Sequence, residues 1–212
     1  MNSSAQGKEE PAGPPLDDLD RADMLRLACG QDSALNEIIG RHAPKLHNYL
    51  LRSLQNEEDA ADLAQETFVR VYQNRAKFDA DLKFSTWLYA IASNLVRTKF
   101  RHRSRHPELA LDAENPQTGA DFRETIPLDQ PNPSKSLQTT ETADAVRRAV
   151  ADLPEEVRTP LILSEYEELS HAEIGLILNC SAKAIETRLY RARKQLKSTL
   201  SASWDNRRGK QT

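Results

Sequence analysis

The stretch SHAEIGLILNCSAKAIETRLYRARKQLK, residues 170–197, holds two helical patterns separated by a short break. Ser170 followed by Glu173 has capping-box spacing: the hydroxyl can accept from a backbone N–H while the Glu side chain reaches back to the cap. A short helix then puts Ile174, Ile177 and Leu178 on one face. Asn179-Cys180-Ser181 interrupts it. Asn tolerates the left-handed conformation that a tight turn needs, and Ser181 can cap the next helix. In that helix Ile185, Leu189, Ala192 and Leu196 recur at spacings of four, three and four, which makes one buried stripe. Gly175 is small where the two helices must cross closely. This is the layout of a helix-turn-helix, whose second helix enters the major groove of DNA. Its exposed side carries Lys183, Arg188, Arg191, Arg193, Lys194 and Lys197 against Glu186 alone. Phosphate contact needs such a local excess of cations.

Upstream, further helices are expected near 138–152 and 154–168, ahead of those at 171–178 and 182–199. Pro154 suits a first helical position, and Pro160 should kink its helix or fall within its first turns. Before them the composition changes. Pro107, Pro116, Pro127, Pro131 and Pro133 crowd one stretch with Gly119, and from Ser104 to Asp144 three bases face eight acids. Such a segment cannot bury enough surface to fold, so residues 106–136 read as a flexible acidic linker.

The first half is again helical, near 19–29, 33–53, 57–75 and 84–103, with Pro44 expected to break the second helix in two. Its last helix ends in RTKFRHRSR (97–105), which has five bases, no acid, and aromatics at Phe84, Trp87, Tyr89 and Phe100 nearby. Bases stack on rings and phosphates meet cations, so this pattern suits single-stranded or opening DNA. Trp87, Leu88, Ile91 and Leu95 follow core spacing, which makes Trp87 a core residue rather than a stacking platform. The preceding helix has an apolar stripe of Ala64, Phe68, Val71 and Tyr72. A second stripe on it, Asp62, Gln65, Glu66, Val69 and Gln73, is mostly polar. From Asp17 to Glu66 eleven acids outnumber five bases. DNA is repelled there, so that surface is expected to meet a protein.

The fold expected is all-α: two small helical domains, 19–105 and 137–200, joined by the linker and flanked by tails at 1–18 and 201–212. The chain of 212 residues has 29% charged and 38% hydrophobic residues and a formal charge of −3, a value that hides the segregation just described. No apolar run approaches the roughly 20 residues of a membrane span, and MNSSAQGKEEPAGPP lacks the core of a signal peptide. Cys29 and Cys180 make no disulfide scaffold, and a reducing cytoplasm is the simplest location. His171 has no partner ligand nearby in sequence, and no metal site or cofactor is expected.

At three segments the chain resembles a bacterial sigma factor of the extracytoplasmic-function (ECF) type, in the sigma-70 family. They are DAADLAQETFVRVYQ (59–73), FSTWLYAIASNLVRTKFR (84–101) and LPEEVRTPLILSEYEELSHAEIGLILNCSAKAIETRLYRARKQL (153–196). The resemblance implies sigma domains two and four, which bind core RNA polymerase through the β′ clamp and the β subunit, direct it to promoters and help open the DNA. It implies that Asp62, Gln65 and Glu66 dock on the β′ clamp helices. The loop Phe78 to Lys83 and the helix holding Asn94 would capture a flipped base of the −10 element, with Lys83, Arg97, Arg101 and Arg103 on the DNA strand. Lys183, Thr187, Arg188, Tyr190, Arg191 and Lys194 would face the −35 element. An anti-sigma protein is a further partner by resemblance. Thr98 stands where family members often carry Asp or Asn, and Glu186 is acidic on a face meant for DNA. Both departures bear on which promoter is read, not on the activity.

The linker fits this role. As a coil it spans roughly 30 Å and fully extended about 100 Å. Two promoter elements about two turns apart lie roughly 70 Å from each other. The linker is therefore drawn out when both domains are bound, and its acids suit a basic protein channel better than bare DNA.

The rival reading is a stand-alone helix-turn-helix regulator. A small hydrolase or transferase has little support, because no P-loop, G-x-S-x-G elbow or clustered metal ligands occur. A gel shift separates the first two: a sigma factor binds duplex DNA weakly without polymerase, whereas tight, polymerase-independent binding would favour the regulator.

Overall fold

The structure, a computed structural model, describes residues 15–105 and 133–208, with side chains placed for 15–105 and 142–201. Most of the expected linker and the outer parts of both tails lie outside the described residues. Among the described residues every regular element is helical. The first cluster comprises α1 (Leu16–Ala28), α2 (Ser33–Leu54), α3 (Glu57–Gln73), a 3₁₀ turn (Arg75–Lys77) and α4 (Phe84–Arg105). The second comprises α5 (Pro133–Ala151), α6 (Glu155–Glu165), α7 (His171–Leu178) and α8 (Ala182–Arg208).

Some boundaries fall outside the expected spans. Helix α5 starts at Pro133, within the stretch read as linker; proline is favoured there because a first-turn N–H has no helical partner to lose. Helix α8 continues to Arg208, since no glycine or proline interrupts it before Gly209. Pro44 does not divide α2, contrary to expectation. It lies on the exposed side, where water can satisfy the freed Gly40 carbonyl. The buried residues Ile38, Leu46, Tyr49 and Leu50 hold both halves of α2 against one core.

Charge also builds the first cluster. Arg41 of α2 donates from Nε to Asp20 Oδ1 (2.9 Å) and from Nη2 to Asp23 Oδ2 (2.6 Å). His42 Nε2 lies 2.7 Å from Asp20 Oδ2, and its ring meets Phe84 of α4 edge-on at 4.9 Å. Asp20 and Asp23 are buried. Two of the acids expected on a protein-facing surface are thus internal, because Arg41 and His42 give them partners that water would otherwise supply.

The turn between α7 and α8 is built as its residues require. Asn179 is left-handed at φ 52° and ψ 53°. Cys180 N–H donates to the Gly175 carbonyl (2.9 Å), closing the helix end. A Cβ on Gly175 would sit 2.7 Å from the Cys180 carbonyl oxygen, which is backbone and cannot yield. Gly40, by contrast, is exposed within α2, and a Cβ added there would meet nothing within 4 Å. We therefore expect opposite signs from one substitution type. In urea denaturation Gly175→Ala should destabilise by about 1–3 kcal/mol, and Gly40→Ala should stabilise by about 0.5–1 kcal/mol. Similar effects at both sites would refute this account of the turn.

Candidate nucleic-acid interface

Side-chain caps open both helices of the helix-turn-helix. Ser170 Oγ accepts from the Glu173 N–H (3.3 Å), and Glu173 Oε2 accepts from the Ser170 N–H (2.9 Å). The Ser170 hydroxyl, the largest influence, holds the Glu173 carboxyl below its ordinary pKa. Ser181 Oγ accepts from the Ala184 N–H (3.2 Å) and starts α8. Ile185, Leu189 and Ala192 are buried, so Lys183, Thr187, Tyr190, Arg191 and Lys194 stand exposed on the other side of the helix. Tyr190 is 67% exposed, unusual for a ring that is free to bury. Arg188 is half-buried and turns its Nη1 to within 3.6 Å of Cys180 Sγ.

In the first cluster the loop before α4 is pinned from two sides. Arg21 of α1 donates to the Ala80 carbonyl (2.8 Å), and Asp79 Oδ1 accepts from the Asp81 N–H (3.0 Å). Beneath it Phe78, Phe84 and Trp87 pack at centroid distances of 5.4–6.2 Å. Trp87 is partly buried against the core, as its spacing predicts. Asn94 and Arg101 are exposed on α4. Lys99 and Arg103 both pair with Asp59 at the start of α3, so the basic end of α4 is partly neutralised within the protein.

Asp62 and Gln65 are exposed, and Glu66 accepts from Arg70 Nε (2.8 Å). Gln65 also lies at the edge of a groove of about 700 Å³ between α2 and α3, lined by Leu35, Ile39 and Ala43 on one side. Ala64, Phe68, Val69 and Tyr72 line the other. The contribution of α2 was missed in the sequence, although apolar residues four apart at 35, 39 and 43 carry the signal.

The two helical clusters meet in a seam. Tyr89 Oη of α4 donates to Glu167 Oε2 (2.5 Å) in the loop after α6. The Arg52 guanidinium stacks over the Tyr166 ring at 4.2 Å, and Arg158 over the Phe100 ring at 5.1 Å. Lys83 Nζ lies 3.0 Å from Glu173 Oε1. Glu168 has φ 55°, so the loop doubles back and Leu169 N–H reaches the Leu163 carbonyl. Burial raises the Glu167 carboxyl above its ordinary pKa, against the opposing influence of Tyr89, Arg52 and Lys45. Burial likewise raises the Tyr89 hydroxyl, reinforced by Glu167. Arg97 and Arg188, expected at different promoter elements, line one cleft of about 230 Å³ with Glu155 and Glu156. Among the described residues no group of three or more His, Cys, Asp or Glu could hold a metal ion. Nor is any helix there long and apolar enough to cross a membrane.

Comparison with known proteins agrees with the all-α fold in two helical clusters. Residues 38–106 match the family Sigma-70 region 2, and residues 143–196 match Sigma-70, region 4. The chain is 37% identical over 172 residues to ECF RNA polymerase sigma factor SigW of Bacillus subtilis, covering 81% of this chain and 91% of that protein. It is similar to the structure of CnrH in complex with the cytosolic domain of CnrY (TM-score 0.62, 25% identity, 87% of this chain and 99% of that one). The sigma factor RpoE in complex with the anti-sigma factor NepR, from Bartonella quintana, shares the fold (TM-score 0.60, 21% identity, 78% and 96% covered).

The raised Glu167 carboxyl makes a prediction about pH. Its stabilising contribution is complete below the unfolded-state value and is lost as pH rises through the folded-state value. Glu167→Gln keeps an acceptor for Tyr89 and removes the partly buried charge. The variant should exceed wild type in urea stability at about pH 8, and the gap should close towards about pH 4, near the unfolded Glu value. A gap that ignores pH would show that Glu167 is not charged at a cost in the seam.

Proposed function

The chain belongs to the ECF type of the sigma-70 family, RNA polymerase sigma factors that direct transcription initiation, and we propose which of its surfaces carry that work. The carrying observation is the recognition helix α8, capped by Ser181 and anchored by Ile185, Leu189 and Ala192, with a basic face turned to solvent. Lys183, Thr187, Arg188, Tyr190, Arg191 and Lys194 are the residues we assign to the −35 element. Phosphate contacts supply register and affinity there, and base contacts supply discrimination. Lys83, Asn94, Arg97, Arg101 and Arg103 are assigned to the −10 element, beside a loop that the aromatic cluster holds in place.

Asp62, Gln65 and Glu66 are assigned to polymerase docking on the β′ clamp. The placement of Gln65 at the edge of an apolar groove supports this, since an apolar centre with a polar rim is the usual anatomy of a protein interface. The β subunit is a further contact. An anti-sigma protein is the remaining partner we propose, by analogy with the RpoE–NepR pair, whose fold the chain shares.

The closed seam sets a requirement. Arg97 and Arg188 share one cleft, whereas the two promoter elements lie roughly 70 Å apart. The clusters must separate before both elements are engaged, and polymerase binding is the step we assign to that separation. The synthetic chemistry is polymerase's own.

Run-off transcription with purified core polymerase and a genomic fragment pool tests these assignments. Arg191→Ala should weaken one set of promoters by about 1–3 kcal/mol each, and Glu66→Ala or Gln65→Ala should weaken polymerase binding without changing sequence preference. Equal loss at every promoter from Arg191→Ala would contradict the assignment.

A further inference from the structure

We propose that Glu186 is a base-reading residue that selects cytosine within the −35 element, with Lys183 as its positioning partner. The proposal rests on the assignment of α8 to DNA. Glu186 is the fifth residue of α8, within the N-terminal turns where recognition helices touch base edges. It points away from the buried stripe, with Lys183 three residues before it and Tyr190 four after, and so shares their face. Its side chain is 56% exposed. Lys183 Nζ, on a side chain 80% exposed, donates to Glu186 Oε2 at 2.8 Å. That hydrogen bond is the main reason the carboxyl is held below its ordinary pKa, and His171 adds to the effect. At neutral pH an exposed glutamate is an anion.

An anion on this face opposes phosphate binding, because Arg188, Arg191, Arg193, Lys194 and Lys197 otherwise make the helix strongly cationic. A donor on a base edge offsets that repulsion. A carboxylate only accepts, and in the major groove the bases that offer a donor are cytosine, through N4, and adenine, through N6. Adenine sets the N7 acceptor beside its amine, which repels a carboxylate; cytosine does not. Lys183 engages one carboxylate oxygen and leaves acceptor capacity for the amine. The ammonium has further donors for the O6 or N7 of guanine, so the two side chains together complement a G·C pair. Arg191 and Lys194 have no such constraint and read guanine or phosphate.

The test uses holoenzyme reconstituted from purified core polymerase and the full chain. Bound promoters are selected from a pool randomised across the −35 window, and base preference is scored by position for wild type, Glu186→Gln, Glu186→Ala and Arg191→Ala. Wild type should favour cytosine at one position by roughly 5- to 150-fold. Glu186→Gln should move that position towards adenine, since an amide can donate to N7 while accepting from N6. Glu186→Ala should flatten that position alone, and Arg191→Ala should flatten a different one. If both Glu186 variants keep the wild-type profile and only bind all sequences more tightly, the carboxylate merely repels phosphate and the proposal is wrong. A wild-type holoenzyme with no preference anywhere in the window, unchanged by Arg191→Ala, would overturn the assignment of α8 to DNA and this proposal with it.

Discussion

The Tyr89 hydroxyl meets the Glu167 carboxylate at the seam between two small helical clusters, and the contacts around it are polar and individually modest. A hydrogen bond typically contributes about 0.5–1.5 kcal/mol net, and here the burial of the carboxylate opposes it. An exposed ion pair such as Lys83–Glu173 contributes about 0–1 kcal/mol. Cation–π stacks such as those of Arg52 and Arg158 contribute about 0.5–2 kcal/mol each. Apolar side chains from both clusters are nevertheless continuous beneath the seam, from Met24 and Leu27 through Val96 to Leu161, Ile174 and Ala192. The seam thus combines modest polar contacts with an apolar core shared by both clusters.

Side chains assigned to DNA sit in the seam. Lys83 is paired with Glu173, and Arg97 shares a cleft with Glu155 and Glu156. Glu173 occupies a cation that a phosphate would otherwise claim, and Glu155 and Glu156 place acids in the cleft that Arg97 lines. Lys99 and Arg103 are similarly held by Asp59. The packing between clusters and the contacts we assign to DNA thus draw on some of the same side chains, Lys83 and Arg97, while the Asp59 pairs lie within the first cluster. Asn94, Arg101 and the exposed side of α8 are already turned to solvent.

Local chemistry was readable from the chain. The capping box at Ser170, the left-handed Asn179 and the stripe through Ile185, Leu189 and Ala192 each follow from neighbours within a few residues, and each is present in the fold. Pro44 misled because its effect depends on which side of α2 faces water, a tertiary fact. Asp20 and Asp23 misled for a related reason. Counting acids treats them as surface, whereas Arg41 and His42, far along the chain, bring them inside. The α2 side of the groove was visible as a four-residue spacing, yet only the packing of α3 shows that the stripe is left open. The Tyr89–Glu167 contact joins residues 78 positions apart and leaves no local mark.

Helix α1 lies wholly before the segment that matches Sigma-70 region 2, which starts at residue 38. Its acids nonetheless supply the partners of Arg41 and His42, and its Arg21 secures the Ala80 carbonyl. A truncation placed at the edge of sequence similarity would strip those counter-charges from the interior and free the loop in front of α4. Every side chain assigned to the promoter would survive such a cut. The interior of the first cluster therefore depends on a helix outside the matched segment, and cutting the protein at that boundary would discard it.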